Sequence, residues 1–282
     1  MNKLMLYPIN AACRFFEFHN EISKKILNRL GRDKYFLEFD WRDDDIYIVS
    51  FPKSGTTLMQ MLMHQLTSDG NMNFNHIYEV SPFLEHSINT HQSLKDFLSP
   101  RIIKTHLQYS IIPKNCPGKF IYVMRHGMDV SVSLYHQHRN VYPGYGGRFN
   151  EYFDKIFMAE FGMSWFKHVA GWCKNKNNRN ILYLKYEDLL SNLDVCIKQI
   201  IAFCKIEVKE SELPRIKERC HIDFMRKYEE KFDMTPVIKL TKFIRNGKTK
   251  EGEKHLKDYQ KEMYAKRFNK YLNGFGIESY KK

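Results

Sequence analysis

Four apolar residues, Ile46-Tyr47-Ile48-Val49, run through Ser50 into Phe51-Pro52-Lys53-Ser54-Gly55-Thr56-Thr57, and a helical pattern starts at once. Leu58, Met61, Leu62 and Leu66 follow at the i, i+3, i+4 spacing of one buried helix face. A strand that passes into a helix through so short a loop cannot close a hairpin, so it asks for parallel partners. The loop itself is built for an anion. Backbone N–H groups of the turn and of the new helix, with the positive end of its dipole, converge on one point. Lys53 adds a cation, and Ser54, Thr56 and Thr57 add hydroxyl donors. Pro52 fixes the turn and keeps helix from extending upstream.

The same alternation recurs along the chain. Strand patterns fall at about 45–51, 101–105, 119–124 and 180–185, and helical patterns at 56–67, 129–139, about 151–174 and 189–204. Strand alternating with helix predicts an α/β fold: a central parallel sheet covered by helices on both faces. Ligands in such sheets bind beyond the carboxyl ends of the strands. Lys53, His106, Arg125 and Tyr186 each lie just past a strand end, which points to one shared site. Residues 14–30 predict an N-terminal helix within a helical segment over 1–40. The Gly/Tyr-rich stretch 142–148 predicts a lid or pocket wall, and the Lys/Glu-rich stretch 225–262 predicts loops and exposed helix around the site's mouth. We expect a single domain over 1–282.

The loop is not a nucleotide P-loop. Walker A reads G-x-x-x-x-G-K-[ST], whereas Lys53 precedes Gly55, and Gly247-Lys248-Thr249 has Lys242 where the first glycine belongs. Instead, Pro52-Lys53-Ser54-Gly55-Thr56-Thr57 resembles the phosphosulfate loop of the cytosolic sulfotransferases. Four more segments are similar to that family's motifs, in family order. They are the Lys104-Thr105-His106 strand end, Arg125 with Ser133 eight positions on, Tyr186-Glu187-Asp188, and Phe243-Ile244-Arg245-Asn246-Gly247.

The resemblance implies transfer of a sulfuryl group from 3′-phosphoadenosine-5′-phosphosulfate (PAPS) to a small-molecule acceptor, leaving the bisphosphate PAP, with no metal. It assigns His106 as the base, Lys53 to the 5′-phosphate and leaving oxygen, and Lys104 to the group in transit. Arg125, Ser133 and Arg245 would hold the 3′-phosphate, with Asn246 and Gly247 giving backbone contacts. The rest of the nucleotide would meet Ser54, Gly55, Thr56, Thr57, Leu58 and Phe243, with Tyr186 and Phe224 toward the adenine. There are departures. Leu58 stands where the family often has a tryptophan stacked on adenine. The stretch from Arg245 to Lys254 is one residue longer than the family's late loop and lacks its tryptophan. The family's short dimerisation motif is not matched between Lys254 and Met263.

The net charge of +13 favours anionic partners, but the lysines are dispersed without a long arginine-rich block, so a cleft for one nucleotide is expected rather than nucleic acid. Six cysteines, at 13, 116, 173, 196, 204 and 220, form no C-x-x-C pair, which fits free thiols in a reducing cytoplasm. His136 and His138 fall on opposite sides of a helix and do not suit a shared metal. No signal peptide is visible and no apolar stretch reaches the roughly 18 residues that cross a bilayer. Two rival readings remain open from residues alone: a nucleotide kinase with a degenerate loop, and a non-catalytic anion or nucleic-acid binder.

Overall fold

The computed structural model describes residues 39–90, 92–113, 115–141, 147–159, 164–175, 177–178, 180–233, 243–245 and 247–275. The expected N-terminal helix at 14–30, most of the 142–148 stretch and Asn246 lie outside them. β1 (Ile46–Ser50) leads into α1 (Thr56–Thr67), followed by β2 (Ile102–Thr105) and β3 (Lys119–Met124). After β3 come α2 (Gly127–Val141), α3 (Trp165–Cys173), β4 (Ile181–Lys185), α4 (Tyr186–Ser191) and α5 (Leu193–Cys204). α6 (Leu213–Cys220), α7 (Glu251–His255) and α8 (Asp258–Leu272) complete the main elements.

All four strands pair in parallel, in the order β2-β1-β3-β4. The chain moves from β1 outward to β2, then returns to the other side of β1 as β3. That reversal opens a crevice beyond the carboxyl ends of β1 and β3, where open α/β sheets bind ligands. Both faces of the sheet are covered. Ile46 and Ile48 join Met59, Leu62 and Leu66 of α1 in one apolar cluster, while Tyr47 and Val49 join Trp172 of α3 in another. This is why β1 reads as an unbroken apolar run and not as an alternation.

At the far end of the sheet, Arg101 and Asp45 form a two-pronged ion pair, with both bonds at 2.7 Å and both side chains fully buried. Tyr47 donates to the same carboxylate at 2.7 Å. The pair ties the start of β2 to the start of β1, where Ile46 faces Ile102. Lys53 and His106 therefore emerge at the same level at the other end.

The strands lie where the sequence puts them, but two helices do not. The pattern at 151–174 is interrupted: a short helix at Phe149–Tyr152 loosens into a π-turn at Phe153–Phe157, and α3 begins afresh at Trp165. Ser164 caps that new start, its Oγ accepting the Lys167 N–H at 3.2 Å. The pattern at 189–204 starts earlier, at Tyr186, and breaks at Asn192, whose backbone leaves the helical region. Among the described residues no helix is long and apolar enough to cross a membrane, and no disulfide is present.

Candidate active site

The loop after β1 is shaped by two residues with left-handed backbones, Lys53 at φ 67 and Gly55 at φ 100. Gly55 starts α1 with no side-chain cap and no acidic residue in the first turn. The first N–H groups of the helix are thus left to whatever the cleft holds. The Ser54 hydroxyl is buried with no hydrogen-bond partner. Ser50 Oγ and Thr56 Oγ1 meet at 2.5 Å and pin the end of β1 to the start of α1.

A side chain cannot replace the hydrogen at position 55. A Cβ there would sit 2.4 Å from the Tyr186 ring, on a backbone that L-residues avoid. We expect Gly55→Ala to lower stability by about 1–3 kcal/mol and to displace the loop. Thermal unfolding checks the first effect. Loss of anion binding, measured by titration, checks the second.

Lys53, Gly55, Thr56, Thr57 and Leu58 line one cleft together with Lys104 and His106 from β2. Arg125, Ser133 and Tyr186 close its far side, and Phe243, Arg245 and Gly247 reach it from the late loop. Phe224 is not among the lining residues. It packs against the Tyr228 ring at 4.8 Å, and its neighbours Ile222 and Met225 line the cleft with Cys220. Asn246 lies outside the described residues. Among the described residues no three His, Cys, Asp or Glu side chains cluster as metal ligands would.

Among the described residues, four cations line the cleft. Lys53 Nζ stands 4.3 Å over the Phe243 ring. Burial first, then the charges of Arg125, Lys104 and Arg245, push its pKa down from 10.5 to about 7. Arg125 lies over the Tyr186 ring at 4.5 Å and donates to the Lys53 and Lys248 carbonyls, both at 3.1 Å. Its Nε is buried without a partner. Lys104 donates to the Tyr78 hydroxyl at 3.0 Å and lies 4.3 Å from the Phe83 ring centre. Cations gathered this closely, with unspent donors among them, favour a polyanionic ligand.

His106 is held on three sides. Its N–H donates to Glu85 Oε1 at 2.6 Å, and its carbonyl accepts from His168 Nε2 at 3.2 Å. His168 Nδ1 in turn accepts a hydrogen bond from the Tyr122 hydroxyl, 3.1 Å away, which fixes its tautomer. Burial holds the pKa of His168 down at about 4, so it stays neutral. The imidazole of His106 places Nδ1 2.7 Å from the Ser50 carbonyl. A carbonyl can only accept, so Nδ1 carries the proton and Nε2 carries the lone pair. Glu85 is buried and its pKa rises to about 7 through desolvation, opposed by the His106 N–H.

The late loop is docked on α2. Asp129, fully buried, accepts the Lys250 and Gly252 N–H groups at 2.8 Å each. Gly252 lies so close to Met128 that a Cβ would come within 2.4 Å. Glu229 Oε1 anchors the start of the segment through the Phe243 N–H at 2.6 Å and the Ile244 N–H. Sequence reasoning missed Glu85, Asp129, Glu229 and Tyr78. Glu85 and Asp129 are buried carboxylates, Glu229 and Tyr78 are half-buried, and Asp129 was already visible in the motif that carries Ser133.

Known proteins resemble this chain along most of its length. Sulfotransferase 4A1 of Homo sapiens is 32% identical over 217 residues, covering 74% of this chain and 75% of that one. Amine sulfotransferase of Oryctolagus cuniculus is 28% identical over 273 residues, covering 91% and 88%. The fold is similar to that of retinol dehydratase in complex with androsterone and inactive cofactor PAP, with a TM-score of 0.73 at 20% identity, covering 87% of this chain and 85% of that one. With the Sulfotransferase domain family matching residues 43–276, the chain belongs to the sulfotransferase family.

Proposed function

We propose that this chain, acting as a single domain, moves the sulfuryl group of PAPS onto a hydroxyl or amine of a small acceptor. One observation carries the reading. Lys53, Lys104, Arg125 and Arg245 meet at the β1/β3 crevice beside a histidine whose Nε2 is the proton-accepting nitrogen. Sulfuryl transfer, like phosphoryl transfer, needs mainly positioning and charge stabilisation. The acceptor's O–H or N–H gives its proton to His106 Nε2 as the new bond to sulfur forms. The bond between sulfur and the bridging oxygen breaks, and the electron pair stays on the 5′-phosphate, where Lys53 stabilises it. Lys104 faces the equatorial oxygens of the group in transit.

Arg125, Ser133 and Arg245 supply the 3′-phosphate pocket, and Tyr186, packed under Arg125, faces the adenine. Leu58, Ile222 and Met225 replace aromatic stacking around the base with aliphatic contact. Phe83 and Leu134 line the same cleft and suit an acceptor with an apolar body. A relative named amine sulfotransferase and a neighbour complexed with androsterone support both amine and hydroxyl acceptors. The kinase reading is disfavoured by the loop, which lacks Walker spacing. We place the activity in the cytoplasm, without nucleic acid or membrane as partner.

The reading is tested by thermal shift with PAP, AMP and ATP. PAP at 100 times its dissociation constant adds roughly 2.7 kcal/mol. AMP at the same concentration adds little, because only the bisphosphate reaches Arg125, Ser133 and Arg245. Equal shifts for AMP and PAP would refute the 3′-phosphate pocket. A turnover screen of PAPS against hydroxyl and amine acceptors then identifies the sulfated product by mass.

A further inference from the structure

Arg245 already has a partner of opposite charge. Its Nη1 donates to Glu251 Oε2 at 3.0 Å, at the rim of the cleft that Arg245 lines. Glu251 opens α7, and that helix is held firmly. Asp129 takes the N–H groups on either side of Glu251, and Gly252 sits against Met128. The backbone that carries Glu251 is therefore fixed, and its carboxylate is presented within reach of Arg245. The pair also stands beside α2, one turn past Ser133. The pKa of His136 is lowered by burial first and then by Arg245, while Glu251 opposes that shift. This is also the stretch where the chain, from Arg245 to Lys254, runs one residue longer than the pattern it otherwise resembles.

We propose that Glu251 is a built-in competitor of the 3′-phosphate: it engages Arg245 when no nucleotide is bound and holds down affinity for donor and product alike. The inference rests on the reading of Arg245 as a 3′-phosphate ligand. A phosphate carries about −1.5 to −2 charges at neutral pH. To reach Arg245 it must displace the carboxylate or share the guanidinium with it, across one edge each. In both cases two anions meet on one cation, and the cost falls only on ligands that carry a 3′-phosphate. The side chains of Arg245 and Glu251 are 26% and 12% exposed, so water screens the effect and a change of a few-fold is expected rather than several decades. The consequence for the reaction is faster release of PAP in exchange for weaker capture of PAPS.

Calorimetric titration of the full chain with PAP and with AMP tests this in four variants: wild type, Glu251→Gln, Arg245→Ala and the double variant. We expect Glu251→Gln to bind PAP about 3- to 10-fold more tightly, with AMP unchanged. Arg245→Ala should weaken PAP, and Glu251→Gln should bring no gain on that background, since competition needs the arginine. Unchanged or weaker PAP binding by Glu251→Gln, with Arg245→Ala still weak, overturns the proposal and makes Glu251 an orienting partner. Unchanged PAP binding by Arg245→Ala overturns the 3′-phosphate assignment beneath it. Thermal unfolding of Glu251→Gln and Glu251→Ala is measured in parallel. If both variants are too unstable to titrate, Glu251 is a structural residue and the proposal falls.

Discussion

His106→Ala lowers turnover by about 10²- to 10⁴-fold while PAP binds within a few-fold of wild type. The split follows from how the residue is held. The imidazole donates Nδ1–H to the Ser50 carbonyl, which leaves Nε2 as the nitrogen that carries the accepting lone pair. Nothing in the cation set of Lys53, Lys104, Arg125 and Arg245 depends on that ring. The backbone at position 106 is fixed independently, through Glu85 at its N–H and His168 at its carbonyl. Alanine therefore keeps the backbone of β2 and Lys104 in place, and removes the proton acceptor together with the ring's bond to the Ser50 carbonyl. Steady-state rates with PAPS, set beside PAP titration, measure the two effects separately. Retained activity would move the base to another residue, and a matching collapse of PAP binding would make His106 a structural prop.

The strands and the cleft were legible in the sequence for one physical reason. A parallel strand buried on both faces is a short apolar run, and its site residues stand immediately after it. Ile46–Ser50 and Ile102–Thr105 fit that description fully, Lys119–Met124 nearly so and the edge strand Ile181–Lys185 only in part, and Lys53, His106, Arg125 and Tyr186 stand within three residues of their ends. Helix ends were harder, because they depend on single residues. Ser164 begins α3 and Asn192 divides α4 from α5, although the apolar spacing runs on through both points.

The supporting residues were hidden for a different reason. Glu85, Glu229 and Asp129 act through backbone N–H groups 14 to 123 positions away, and no local pattern announces such a bond. Phe224, which only a loose family resemblance around Asp223 suggested, does not line the cleft. On a helical segment an aromatic at one position and its neighbour Met225 face different ways, and the structure turns Met225 toward the cleft. A loose resemblance places a segment near the site. It does not say which of its residues meets a ligand and which meets the core.

PAP binding takes up a proton at about pH 8, and Lys53 is the group that receives it. In the ligand-free protein, burial and three neighbouring cations hold Lys53 near pKa 7, below its ordinary 10.5. A phosphate beside it supplies the missing anion and drives the pKa back up. The sign follows. Above about pH 7 the free lysine is losing its proton while the complex retains it, so affinity falls as pH rises, by at most about tenfold per unit. Below about pH 6 the phosphates themselves begin to protonate, so affinity is highest between about 6 and 7. Without ligand the same shift penalises folding below about pH 7, and the penalty fades as pH climbs toward the ordinary value. Lys53→Met removes the slope between about pH 7 and 9 and weakens binding at pH 7. It keeps the φ 67 backbone that lysine already occupies, so it adds no new kind of strain. Turnover falls further than binding does, because the ammonium also meets charge that appears only on the leaving oxygen. Calorimetry in buffers of different ionisation enthalpy counts the proton directly. A wild-type protein that takes up none, with a flat affinity profile, would remove Lys53 from the phosphate.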